Sequence, residues 1–307
     1  MSALCLGAMN YGTKADAASS MAMLDRYGEA GGTFIDTANN YAVWWGGDGG
    51  DSERVLGAWM KERKNRASLF LATKVGFNRP DVGRSLAPAV IRSELEGSLK
   101  RLGTDHVDLY YAHCDVRQDP LEQTLETFED LRREGKIRFI GCSNYRAWRI
   151  EEARAISRRR GWAEYCCVQQ RHTYLRPGPG ATFDPQLAVD AELLDYGAAH
   201  ASELLLLGYS STLGGAYTGR PDRRVPWQYA GPDTDARLST LAAVARECGA
   251  TPVQVMYAWM LQSNPPVLPL VSAGTLGQLD EDLGSLDLTL RREQVDRLDA
   301  TGVPRKD

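Results

Sequence analysis

The sequence predicts a single (β/α)8 barrel, in which eight parallel strands form a closed ring and the connecting helices surround it. Short apolar runs alternate with longer amphipathic segments along nearly the whole chain of 307 residues. Repeated strand–helix units imply parallel strands with right-handed crossovers, and eight units over about 270 residues fit a closed barrel better than an open doubly wound sheet. No linker rich in Pro, Gly or Ser divides the chain, so we expect one barrel domain over residues 1–307.

The eight predicted strands are the short apolar runs. Each one ends where the pattern changes to polar residues or to the longer period of an amphipathic helix. In chain order they occupy residues 3–6, 33–36, 69–74, 107–113, 139–143, 165–169, 204–209 and 267–271.

Four of the intervening segments carry the clearest helical signals. Apolar residues recur three or four positions apart, which places them on one face of a helix, and the residues at the two ends fit helix entry and exit. In order, these segments are Pro88 with Ile91, Leu95, Leu99 and Leu102 before Gly103; Asp119 and Pro120 with Leu121, Leu125, Phe128 and Leu131 before Gly135; Leu238, Leu241 and Val244 before Gly249; and Thr251 and Pro252 with Met256 and Trp259.

Charge and hydropathy exclude several classes of partner. The chain has 36 basic and 40 acidic residues, so its net charge of −4 offers no broad attraction to nucleic acid or to an anionic membrane. No apolar stretch approaches the ~18 residues of a membrane-spanning helix, and the first residues, MSALCLGAMNYG, lack the basic start of a secretory signal. We therefore expect a cytoplasmic protein without nucleic-acid or membrane partners.

The six cysteines and four histidines show no metal-binding or redox spacing. The cysteines form no C-x-x-C pair and mostly fall in apolar runs, so buried free thiols are expected. No two histidines lie at a ligand spacing on one strand or helix, so a zinc hydrolase on the same barrel is not expected.

Three long irregular stretches, residues 44–51, 176–186 and 214–232, each follow a predicted strand rather than a helix. In a barrel, the loops that follow strands form the catalytic face, where long insertions usually contact substrate. The active site is expected on this face.

Polar side chains stand at the carboxyl ends of six predicted strands, and a barrel brings these ends to one rim. Such residues are poorly placed for packing but well placed to line a shared pocket. They are Asp36, Lys74, His113, Ser143 with Asn144, Gln169 and Tyr209.

Four residues of this set and its neighbourhood suit proton transfer to an oxygen. The hydroxyl of Tyr41 has an ordinary pKa of ~10, so it is protonated at neutral pH and needs help to ionise. Lys74, held cationic by Asp36, is expected to lower the Tyr41 pKa. Neutral His113 would hydrogen-bond the same substrate oxygen.

Seven motifs together resemble the aldo-keto reductase family, in the family's order and spacing over almost the whole chain. They are GTFIDTANNYA at 32–42, LATKVGF at 71–77, DLYYAHCD at 108–115, GKIRFIGCSNY at 135–145, VQQ at 168–170, GYSSTLGGAYTG at 208–219 and QLDEDLGSLDLTL at 278–290. The resemblance implies NAD(P)H-dependent reduction of a carbonyl, or the reverse oxidation, with a small-molecule carbonyl or alcohol as substrate. It also implies that Tyr41 is the general acid, that Lys74 and Asp36 tune it, and that His113 orients the carbonyl.

The same resemblance implies a set of cofactor contacts along the rim. Ser143, Asn144 and Gln169 would hold the carboxamide, and Tyr209 would stack on the nicotinamide ring. Ser210 and Arg220 would contact the pyrophosphate, and the adenosine end would meet Gln278, Glu281 and Asp282.

The sequence departs from the family pattern where NADP is recognised. The Arg that usually grips the 2′-phosphate is replaced by Gly274, and an Asn that contacts adenine becomes Asp282. A lost cation and an added anion both weaken phosphate recognition. NADPH is therefore expected as the cofactor, with NADH also possible.

The loop after Tyr41 is expanded to AVWWGGDGGDSE. Two adjacent tryptophans in a glycine-bounded loop, Trp44 and Trp45, are expected to place at least one ring in the substrate pocket, where a flat aromatic wall suits sugar faces, polyketide-like rings or aromatic carbonyls. Beside the sixth strand, Arg171, His172, Tyr174 and Arg176 form either a polar substrate flank or a solvated loop.

Two further expectations follow from the resemblance. Family members carry an N-terminal hairpin before the first strand, and this sequence begins inside that strand, so we expect reduced stability or a natural chain that starts earlier. The alternative function is that of a cofactor-sensing regulatory subunit, which the potassium-channel β subunits perform on the same barrel; the complete set Tyr41, Lys74, Asp36 and His113 favours the enzyme.

Overall fold

Eight parallel strands close into a barrel in sequential order, with the first strand paired to the last. This arrangement, seen in a computed structural model that describes residues 1–47, 49–79 and 82–302, confirms the predicted (β/α)8 fold. The strands are β1 Cys5–Gly7, β2 Phe34–Asp36, β3 Phe70–Val75, β4 Val107–Ala112, β5 Ile137–Ser143, β6 Tyr165–Arg171, β7 Leu205–Tyr209 and β8 Val267–Val271.

Every predicted strand overlaps an observed one, and the differences lie at the ends. His113 stands one residue beyond β4, and its amide donates to the Val75 carbonyl at 2.8 Å. β6 continues two residues past Gln169, because its pairing with β7 extends to Arg171 opposite Tyr209. This extension carries Arg171 to the rim of the barrel.

Ten α-helices are seen in the described part of the chain, most of them on the outside of the barrel. Predicted positions that lie outside the described residues are Asp48, in the glycine-rich loop after Tyr41, and residues 303–307 at the end of the predicted domain. The helices are α1 Ala17–Glu29, α2 Asp51–Arg63, α3 Pro88–Leu102, α4 Leu121–Arg133, α5 Ala147–Arg160, α6 Ala191–Ala199, α7 Thr234–Cys248, α8 Pro252–Gln262, α9 Leu276–Leu283 and α10 Arg292–Ala300.

The entries of α8 and α4 show one predicted cap that forms and one that does not. Thr251 caps α8, because its hydroxyl accepts from the Gln254 amide while the Gln254 side chain accepts from the Thr251 amide. Asp119 was predicted to open α4, yet its carboxylate accepts from the side chain of Ser85 instead. The α4 entry therefore lacks a side-chain cap, and Asp119 joins the entry loops of two neighbouring helices.

The interior of the barrel is a separate apolar cluster below the rim, which contains Phe34, Leu109, Tyr111 and Leu207. Gly141 makes room for the ring of Tyr111, because a Cβ at position 141 would stand 2.7 Å from that ring. The Tyr111 ring in turn lies under Lys74, whose ammonium nitrogen is 5.9 Å from the centre of that ring. The side chains inside the barrel thus form the floor of the site at the carboxyl ends of the strands.

All six cysteines are free thiols, and four of them are fully buried, as predicted. Within the described residues, no helix combines the length and apolarity needed to cross a lipid bilayer.

Candidate active site

The Asp36, Lys74 and Tyr41 side chains meet in one buried hydrogen-bonded cluster. The Lys74 ammonium donates to the Asp36 carboxylate, to the Tyr41 hydroxyl at 2.8 Å and to the Thr37 carbonyl at 2.8 Å. Its three N–H donors are therefore all used. The other Asp36 oxygen accepts from the Gln169 amide at 2.9 Å.

Strand register places these residues together. Asp36 pairs with Ala72, so Lys74, two residues further along β3, points to the same side of the sheet one step nearer the rim. After β2 the chain follows β3, because the Thr37 amide donates to the Ala72 carbonyl and the Asn39 amide to the Lys74 carbonyl. This path turns Tyr41 back over the ammonium.

Burial keeps the Tyr41 hydroxyl protonated. Desolvation raises its pKa well above the ordinary value, and the negative charge of Asp36 raises it further. This direction is opposite to the one predicted from Lys74 alone, because a phenolate here would be buried beside a carboxylate. Burial also lowers the pKa of Lys74 and raises that of Asp36, while the charge of each partner opposes the shift of the other.

His113 completes the group as a neutral imidazole. Burial and the charge of Lys74 hold the His113 pKa well below its ordinary value. Its ring centre lies 6.1 Å from that of Tyr41 and 4.9 Å from that of Phe77. Nδ1 is buried without a hydrogen-bond partner among the described residues, and the ring lines the cavity above.

A cavity of about 560 Å³ opens over Tyr41 and His113 at the carboxyl ends of the strands. This volume lies within the usual range for small-molecule sites, about 300–1,000 Å³. One part of the wall is polar and runs through the segment Ser210–Gly214. The apolar lining includes Met9, Trp44, Phe77, Leu213 and Leu270.

A model of the aldo/keto reductase family matches residues 3–302 of this chain. The chain belongs to the aldo-keto reductase family. It is accordingly an NAD(P)H-dependent oxidoreductase whose substrates are small-molecule carbonyl compounds.

Similarity to individual family members is moderate and nearly full-length. The uncharacterized oxidoreductase YrpG of Bacillus subtilis is 30% identical over 310 residues, which cover 95% of this chain and 90% of that relative. Norsolorinic acid reductase stcV of Emericella nidulans is 29% identical, with 98% of this chain and 78% of the relative covered. Aflatoxin B1 aldehyde reductase member 4 of Homo sapiens is 38% identical over 161 residues, 52% of this chain and 46% of the relative.

Of the residues predicted to contact the cofactor in this aldo-keto reductase, five line the cavity: Ser143, Asn144, Gln169, Tyr209 and Ser210. Asn144 holds several of them in place. Its amide nitrogen donates to the Ser143 hydroxyl at 3.0 Å, and its amide oxygen accepts from the Tyr209 hydroxyl at 2.7 Å.

The other four predicted contacts lie away from the cavity lining. Arg220 is exposed and forms an ion pair with Asp222 in the same loop. Gln278 accepts from the Gly274 amide at 2.8 Å at the start of α9, and Glu281 follows on the same helix.

Asp282 is buried on α9, and its charge differs from the expectation. Burial, with a contribution from Glu281, raises the pKa of Asp282 to about 8. The carboxyl is therefore mainly protonated at neutral pH. The added negative charge predicted at this position is mostly absent at neutral pH and develops as the pH approaches and passes that value.

The two tryptophans of the expanded loop have different surroundings. Trp44 lines the cavity, and its ring centre lies 6.0 Å from that of Tyr41. Trp45 is absent from the cavity lining and packs under Lys14, whose ammonium lies 4.0 Å from the ring centre. Only Trp44 is positioned to touch a substrate bound over Tyr41.

The four candidate residues at and after the end of β6 also have different surroundings, and one of them lines the cavity. His172 stacks on Trp259, 5.6 Å between ring centres, and Tyr174 packs on the edge of that ring. Arg176 pairs with Asp233. Arg171 lines the cavity together with Gln186.

Several cavity residues carry no signal that sequence reasoning used. Gln186 ends a long loop, and its place depends on the neighbouring Leu187 amide, which donates to the Asn144 side chain at 3.1 Å. The remaining missed residues, from the loops after β1, β7 and β8, include Asn10, Ser211, Thr212 and Ser272. Their positions depend on contacts distant in sequence. Of the sequence motifs, only GYSSTLGG contains residues of this set, Ser211 and Thr212.

Proposed function

We propose that this protein reduces the carbonyl group of an aldehyde, a ketone, or a keto-sugar or natural-product intermediate to an alcohol, or catalyses the reverse oxidation, with Tyr41 as the general acid. The observation that carries the proposal is the 2.8 Å hydrogen bond from Lys74 to the Tyr41 hydroxyl at the base of the cavity. A protonated hydroxyl, a buried ammonium and a neutral imidazole there form a proton donor and an oxyanion site.

The proton moves from the Tyr41 hydroxyl to the carbonyl oxygen as negative charge develops on that oxygen. The phenolate left behind accepts from Lys74, so a hydrogen bond between two opposite charges replaces one in which only the ammonium is charged. Asp36 favours the charged form of Lys74 and so opposes the effect of burial. His113, neutral, holds the carbonyl oxygen by a hydrogen bond, and NAD(P)H when bound supplies the hydride.

The cavity suits a nicotinamide cofactor. Ser143, Asn144 and Gln169 offer hydroxyl and amide groups for the carboxamide, and Tyr209 offers a flat ring. Beyond them, the hydroxyl groups of Ser210, Ser211 and Thr212 line the wall, and such groups are common phosphate ligands. Arg220 would join this pyrophosphate region by leaving its surface pair with Asp222.

We assign NADPH as the cofactor, with NADH accepted as well. Gly274 offers no cation to a 2′-phosphate. The expected adenosine site still offers hydrogen-bonding groups from the Gln278 side chain and the neutral Asp282 carboxyl. That carboxyl has a donor and an acceptor, as an amide does. Glu281 borders the same adenosine site. The missing cation therefore weighs against strict NADPH selectivity.

The substrate is expected to present a flat apolar body to Trp44. The side chain is 44% exposed and stands at the cavity wall, and aromatic rings stack favourably on such a surface. The names of two relatives, a norsolorinic acid reductase and an aflatoxin B1 aldehyde reductase, support polyketide-like or aromatic carbonyl substrates for this chain.

The test is turnover of a panel of aldehydes, cyclic ketones and keto-sugars with NADH and NADPH, with Tyr41→Phe as the blank. Cofactor binding is measured separately by fluorescence titration. Turnover of any carbonyl that depends on Tyr41 supports the proposal. Tight cofactor binding without turnover of any substrate would contradict it and favour the regulatory-subunit alternative.

A further inference from the structure

Arg171 places a positive charge in the cavity above Tyr41 and His113. It ends β6 next to Tyr209 in the register of the sheet, and its side chain lines the cavity with Gln186. Among the described residues that line the cavity, Arg171 is the only one that carries a formal charge at neutral pH, because His113 is neutral.

Nearby charges do not cancel it. The buried Lys74 and Asp36 below the cavity neutralise each other. Among the described residues, no carboxylate lies within salt-bridge distance of the Arg171 guanidinium. The electrostatic potential of the cavity is therefore positive at this wall, and the field in a recess with low-dielectric walls is screened less than at the surface.

The guanidinium also has unused hydrogen-bonding capacity. Of its five N–H donors, the structure records one bond, from Nη1 to the Gln186 side chain at 2.7 Å. Nε is buried and has no hydrogen-bond partner among the described residues. An arginine with free donors and no acid partner is suited to a carboxylate, which it binds in a two-point geometry.

Its position is fixed before any ligand binds. The Arg171 amide donates to the Leu187 carbonyl at 3.0 Å, and the Arg171 carbonyl accepts from the Val189 amide at 2.8 Å. The guanidinium carbon lies 4.9 Å from the ring centre of Phe183 and 5.8 Å from that of Tyr209. Main-chain pairing and aromatic contacts thus hold the charge in place, which lowers the entropy lost on binding.

We propose that Arg171, supported by Gln186, is an oxyanion-binding subsite that selects carbonyl substrates bearing a carboxylate. This inference rests on the proposed carbonyl reduction and adds a substrate class to it. The substrate that fits the whole cavity has an apolar ring against Trp44, a carbonyl over Tyr41 and His113, and an acidic group toward Arg171.

The test compares 3- and 4-carboxybenzaldehyde with their methyl esters, which are similar in shape but uncharged. For each variant, the acid-to-ester ratio of kcat/KM is divided by the wild-type ratio, so the intrinsic reactivities of the aldehydes cancel. The variants are Arg171→Met, Arg171→Lys and the matched control Arg176→Met, whose arginine pairs with Asp233 outside the cavity lining.

We expect Arg171→Met to lower the ratio at least about tenfold, because charge-assisted hydrogen bonds are lost. The ratio for Arg171→Lys should lie between those of wild type and Arg171→Met, since lysine keeps the charge and lacks the planar guanidinium. Arg176→Met should leave the ratio unchanged. Raising the salt from about 0.05 M to about 0.5 M should lower the wild-type ratio by screening.

Equal ratios for wild type and Arg171→Met would overturn the subsite. So would a weaker NADPH affinity of Arg171→Met with an unchanged ratio, because the guanidinium would then serve the cofactor's phosphates. If wild type reduces none of the four aldehydes, the wider carbonyl panel still decides the proposed reduction. Calorimetric binding of acid and ester to the same variants then decides the subsite by the same ratio.

Discussion

The Lys74 ammonium donates a hydrogen bond to the Tyr41 hydroxyl at 2.8 Å, at the point where the buried interior of the barrel meets the cavity. The contact joins the Tyr41 hydroxyl to a cation whose other N–H groups donate to Asp36 and the Thr37 carbonyl. No freedom remains for the ammonium to turn elsewhere. The proton transfer proposed for Tyr41 would therefore need little rearrangement of the protein.

Tyr41→Phe is expected to lower kcat about 10²–10⁴-fold, because the general acid is removed. Cofactor affinity, measured by fluorescence titration, should stay within a fewfold of wild type. Tyr110→Phe serves as a matched control, since its hydroxyl makes one long bond to the Ile91 carbonyl behind the barrel wall. Full activity in Tyr41→Phe would exclude Tyr41 as the proton donor.

Lys74→Met is expected to destabilise the protein by about 3–5 kcal/mol in urea unfolding, because the Asp36 carboxylate is left buried without its cation. The double variant Asp36→Asn with Lys74→Met should recover most of that stability and none of the activity. A single variant as stable as wild type would show that the Asp36 carboxyl becomes neutral when Lys74 is absent.

Trp44→Ala is expected to raise KM for aromatic carbonyls several-fold, because it removes a cavity wall next to Tyr41. Trp45→Ala is the matched control: the ring is exposed to a similar degree, 48%, but packs under Lys14 instead. Equal KM values for the two variants would remove the substrate role from Trp44.

Gly274→Arg is expected to raise the preference for NADPH over NADH by about tenfold through a charge-assisted bond to the 2′-phosphate. Space is available, because an added Cβ meets only the Gln278 side chain, at 3.3 Å. Gly277→Arg, three residues further and with no atom within 4 Å of an added Cβ, controls for a general charge effect. Equal gains in both variants would argue against a specific phosphate contact.

Asp282→Asn is expected to stabilise the protein increasingly as the pH rises. The folded carboxyl keeps its proton up to about pH 8, whereas the unfolded one releases it near its ordinary value of 3.8. The free energy of unfolding of the wild type therefore falls as the pH rises between these two values. The variant has no carboxyl at this position, so its free energy of unfolding lacks this decrease. The gain at pH 9 over pH 4 should exceed about 1.4 kcal/mol, the equivalent of one pKa unit.

Urea unfolding at the two pH values measures this gain. Asp195→Asn, an exposed acid on α6, is the control and should show no such trend. A pH-independent difference between Asp282→Asn and wild type would mean that Asp282 ionises normally.

The barrel was predictable because its information is local. Each strand is a short apolar run, and Thr251 or Gly103 sets a helix end through its own side chain or backbone freedom. Because parallel strands share one direction, residues at their ends had to meet, which brought Asp36, Lys74 and His113 together before any coordinates were known.

Features set by distant contacts escaped prediction. The last two residues of β6 depend on pairing with β7, so the sequence left open whether Arg171 flanks the substrate or lies in a solvated loop. The direction of the Tyr41 pKa depends on how deeply the ring is buried, and the protonation of Asp282 depends on the packing of α9. Charge states of buried groups follow from desolvation, which a sequence pattern does not report.

The backbone pairing at the end of β6 determines which substitutions position 171 tolerates. The two hydrogen bonds that hold position 171 use only its backbone, so they survive any side chain placed there except proline. The residues proposed for proton transfer come from other parts of the barrel: Asp36 and Lys74 from β2 and β3, Tyr41 from the loop after β2, and His113 from just beyond β4. If Arg171 selects the substrate as proposed, selectivity can be redesigned at this one position while the proposed proton chemistry stays intact.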